Sequence, residues 1–71
     1  MDEQIKIWLA DCYNRELDEV KVTISNTRGW LLASQTDEEA EMFTQNIVQL
    51  ELYQQILEEH ISMLEDGSKE E

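Results

Sequence analysis

The stretch "VKVTISNTRGWLLAS", residues 20–34, decides the fold of this chain. From Val20 to Ser25 it alternates apolar and polar, the period of a half-buried strand. On that reading Asn26-Thr27-Arg28-Gly29 is a turn and Trp30 to Ser34 a return strand. A second pattern runs through the same residues. Tyr13, Leu17, Val20, Ile24, Thr27 and Leu31 lie at spacings of 4, 3, 4, 3 and 4, which is one face of a helix. The helical pattern is the longer one and extends upstream through Ile5, Trp8, Leu9 and Cys12. The return segment does not alternate, and a lone two-stranded ribbon is marginal in water. Gly29 inside a helix costs about 1 kcal/mol relative to alanine. We read residues 3–33 as helix and keep a β-ribbon over 20–33 as the alternative.

Downstream the pattern has one reading. Ala40, Phe43, Ile47, Leu50, Gln54, Leu57, Ile61 and Leu64 repeat at alternating spacings of 3 and 4, a heptad seam with one polar member, Gln54. Thr36 with Glu39 three residues later forms a capping box at its start. Asp37, Glu38 and Glu39 complement the helix dipole there. The chain has no proline to interrupt the run. A second helix is expected over residues 37–65, ending near Gly67. The expected architecture is all-α: a single antiparallel two-helix hairpin domain over residues 1–66, turned at Ser34-Gln35-Thr36, with 67–71 a frayed polar tail. Counting outward from the turn, Leu31 is level with Ala40, Ile24 with Ile47, Leu17 with Gln54, and Leu9 lies beside Ile61.

A chain of 71 residues builds a small core and needs help from disulfides, a metal or partner chains. Cys12 is the only cysteine and His60 the only histidine, so neither an internal disulfide nor a four-ligand zinc site is expected. That leaves self-association, and a second stripe supplies a surface for it. On the second helix the stripe is Met42, Asn46, Gln49, Tyr53, Ile56, His60 and Met63. On the first it includes Thr23, Asn26 or Thr27, and Trp30. The combined face is apolar at the ends and polar in the middle, as suits a dimer that completes a four-helix bundle or a larger helical oligomer.

Net charge is −12, and the imbalance is local: residues 36–66 hold nine acids and no base. Such a surface repels nucleic acid and anionic lipid and suits a basic protein partner. Asp37, Glu51, Glu58 and Glu65 stand at multiples of seven, a row that serves either as a solvated face or as a docking ridge. Arg28, Trp30, Asn26 and Asn46 are candidate walls of a small-ligand site, since guanidinium, indole and amides together hold phosphates and bases. Arg28 has a plainer use, pairing with Glu39 or Glu41 across the hairpin, as Trp30 has beside Phe43. Gly29 could admit a close approach of another backbone. Gln54 reads as a register device and Cys12 as a small core residue. No nucleophile–base set, phosphate loop or cofactor motif is present, so catalysis and cofactors are not expected. No apolar run reaches membrane-spanning length, no signal segment is evident, and the free thiol fits a reducing compartment, so a cytoplasmic location is expected.

The string "ELDEVKVTISNTRGWLLASQTDEEAEMFTQNIVQLELYQQIL", residues 16–57, resembles small acidic helical-hairpin proteins encoded by phages and prophages of Gram-positive bacteria. The features that carry the resemblance are Leu17 and Val20, Asn26 with Trp30, Ala33-Ser34, the cap Asp37-Glu38-Glu39, and Asn46-Ile47 followed by Leu50 and Tyr53. Gly29 departs from the pattern. The resemblance implies a helical hairpin and a phage accessory role in an infected or lysogenic host, with no established chemistry. Proteins of that kind antagonise host systems, which suggests two mechanisms. One occludes a host defence or regulatory protein through helical faces. In the other, an oligomer sequesters a small nucleotide signal between subunits. A purely structural assembly protein is the third reading.

Overall fold

The computed structural model describes the backbone of residues 2–69 and the side chains of residues 2–65. Two helices account for nearly all of it: α1, Glu3–Leu32, and α2, Asp37–Lys69. Residues 20–32 are continuous helix, and no strand occurs among the described residues. The β-ribbon alternative is therefore set aside. The reason lies in the longer pattern: Leu17, Val20, Ile24 and Thr27 all turn inward together, which strand alternation could not achieve.

Both helix starts are capped by their own sequence. The Asp2 carboxylate accepts from the Gln4 amide at 2.9 Å. At α2 the Thr36 hydroxyl accepts from the Glu39 amide at 3.1 Å, and the Glu39 carboxylate accepts from the Gln35 amide at 3.2 Å. This is the expected capping box with its return bond moved one residue upstream. α1 ends at Ala33, whose amide bonds back to the carbonyls of Gly29 and Trp30. The Ser34 hydroxyl caps the Leu31 carbonyl at 2.6 Å. α2 runs through Gly67 and ends at Lys69, two residues beyond the expected stop. No glycine among the described residues takes a positive φ, so Gly67 does not form the left-handed cap that would end the helix. Of the tail expected to fray, residues 67–69 belong to the helix, and residues 70 and 71 lie outside the described residues.

Leu17, Val20, Ile24 and Leu57 form the core, with Tyr13, Leu50 and Ile61 packed against it. Ile47 is buried as well, and Leu57 is the most deeply buried of the apolar residues at 2 % exposure. Thr27 is buried on the same seam and donates to the Thr23 carbonyl at 2.7 Å, which satisfies its hydroxyl without a partner from α2. Gln54 and Cys12 are half-buried at the margins.

The register is fixed by two aromatic contacts. Trp30 lies beside Phe43, ring centres 6.2 Å apart, and Tyr13 beside His60 at 5.4 Å. From 30 back to 13 and from 43 on to 60 are both seventeen residues, so the helices run antiparallel without a slip for about 25 Å. Each contact lies two residues beyond the pair that counting from the turn makes level. Side chains of both helices lean toward their own N-termini, so each covers a spot about one residue back from its Cα. The two leans add, and the offset follows.

The hairpin is a rod, 54 × 15 × 12 Å across its Cα atoms. Its radius of gyration is 16.2 Å. A globular chain of this length has about 11 Å. A rod two helices thick has an inside only along one seam. Ile5, Ile7, Trp8, Val22, Trp30 and Leu32 are exposed on α1, as are Met42, Val48, Leu52, Tyr53, Ile56 and Met63 on α2. They outnumber the buried apolar side chains among the described residues.

Candidate functional site

The seam divides the rod into two flanks. On one, α2 presents Met42, Asn46, Gln49, Tyr53, Ile56, His60 and Met63, all exposed. These recur at alternating spacings of 4 and 3, so they hold one line along a coiled helix, as the core seam does. On this flank Tyr13 of α1 packs against His60, and Glu16 stands beside the Tyr53 hydroxyl. The Tyr53 hydroxyl titrates above its ordinary range. The main cause is its hydrogen bond to the Glu16 side chain, followed by burial and by the negative charge of Glu16. Ionising the phenol would break that bond and set two anions side by side. Near the open end, Leu9, Tyr13, His60, Met63 and Leu64 line a shallow apolar hollow.

The other flank is acidic. Glu51, Glu58 and Glu65 are exposed along it, as is Asp37 at the turn end. Arg28 reaches this flank and pairs with Glu51 at 3.2 Å. The expected partners were Glu39 or Glu41, and the lean of the side chains explains the difference. Arg28 points away from the turn, and Glu51 on the antiparallel helix points toward it, so they close on each other. Glu39 and Glu41 lie on the turn side, out of that line. Both members of the pair are more than half exposed, so the bridge contributes little stability. Among the described residues, no base pairs with Glu58 or Glu65.

The four candidate ligand residues are not brought together. Arg28 and Trp30 are two residues apart on a continuous helix, about 200° around its axis. Asn26 and Trp30, four apart, share a face, and Trp30 packs on Phe43, three residues before Asn46. Arg28 lies on the opposite flank, committed to Glu51. Gly29 faces open space: a methyl group there would meet nothing within 4 Å. It makes no room for any contact within this chain. Closeness in sequence groups Asn26, Arg28 and Trp30; helical angle separates Arg28 from the other two.

Among the described residues no three His, Cys, Asp or Glu side chains gather as metal ligands, and no helix is long and apolar enough to cross a membrane. Comparison of the chain with protein-family models, curated proteins and solved structures finds no match.

Proposed function

We propose that this chain is a non-enzymatic binding protein: a helical hairpin that self-associates through its Met42–Met63 flank and presents its acidic flank to a partner. In the setting implied by the resemblance, it is a phage accessory protein. Its partner is a host defence or regulatory factor with a basic surface, which it occludes. The observation that supports this most is the separation of the two flanks. The apolar surface and the row Glu51, Glu58, Glu65 fall on different sides of the seam, so one can be covered while the other stays open. An exposed acidic row, with no base beside Glu58 among the described residues, favours a cationic partner by long-range attraction. The nucleotide-sponge reading is weaker, because Arg28, its only candidate anion-binding side chain, is turned away from Trp30 and paired.

The test is capture from a bacterial host extract by the wild type and by the triple variant Glu51→Lys, Glu58→Lys, Glu65→Lys. A basic host protein retained by the wild type and lost by the variant, with unchanged subunit assembly, is the expected result. Equal retention by both, or retention of a small molecule alone, would overturn the proposal. An assembly that retains nothing would favour the structural reading.

A further inference from the structure

We draw no further inference here: the strongest candidate, the exposed apolar face of α2 from Met42 to Met63 with the hollow beside Leu9, Tyr13 and His60 at its open end, carries nothing beyond the reading above, because nothing in the structure shows what covers it.

Discussion

Leu57→Ala tests the seam at its most protected point. Leu57 is 2 % exposed and packs in the cluster with Leu17, Val20 and Ile24. The substitution removes three carbons, worth about 2.4 kcal/mol at ~0.8 kcal/mol per buried CH₂. The hole left behind adds to this, since helix backbones relax only partly, and a total of about 3 kcal/mol per chain is expected. For a chain of this length the entropy of unfolding is roughly 0.15 kcal/mol/K, so the melting temperature should fall by about 20 °C. The assay is thermal circular dichroism at 222 nm at fixed chain concentration. Leu32→Ala is the control: Leu32 is 90 % exposed at the end of α1. Its cost should be within about 0.5 kcal/mol. Equal shifts for the two variants would refute the assignment of Leu57 to the seam. They would also refute the register that puts it against α1.

Gly29→Ala should raise stability by about 1 kcal/mol, because the helix gains alanine's propensity and the new methyl meets nothing within 4 Å; urea unfolding of the two proteins measures it, and a loss of stability would mean that another chain or ligand approaches there. Tyr53 should ionise above the ordinary phenol range, and Glu16→Gln should lower it, in an ultraviolet pH titration that separates it from Tyr13. The sign follows from a raised value: the stabilisation is complete below the ordinary phenol range and is lost as pH rises through Tyr53's own, higher value. No change with Glu16→Gln would remove that hydrogen bond from the account. Self-association should strengthen with salt, since each copy carries −12, and its dissociation constant should fall between 0.05 and 0.5 M sodium chloride. A constant that rises with salt would mean that ion pairs hold the interface.

Much of this fold was legible in the sequence because local and tertiary signals agreed. The 4–3 spacing through Tyr13, Leu17, Val20 and Ile24 outweighed the short alternation of Val20 to Ser25. The Thr36–Glu39 box and the Trp30–Phe43 contact were both readable from position alone. What escaped was whatever depended on side-chain direction. Arg28 is long enough to choose among several acids, and only the lean of both helices toward their N-termini selects Glu51. The end of α2 was legible only to within a couple of residues, since one glycine costs a helix only about 1 kcal/mol and does not oblige it to stop. The candidate ligand walls illustrate the same limit: Arg28 and Trp30 are neighbours in sequence and opposites on the helix.

If one hairpin leaves an apolar flank that a second copy covers, the wild-type chain must self-associate. Sedimentation equilibrium of the wild-type chain, from micromolar to submillimolar concentration in 0.15 M salt, measures this. A species of at least twice the 8.4 kDa chain mass is expected over the upper part of that range. A single ideal species at 8.4 kDa throughout, with full helicity, would contradict it.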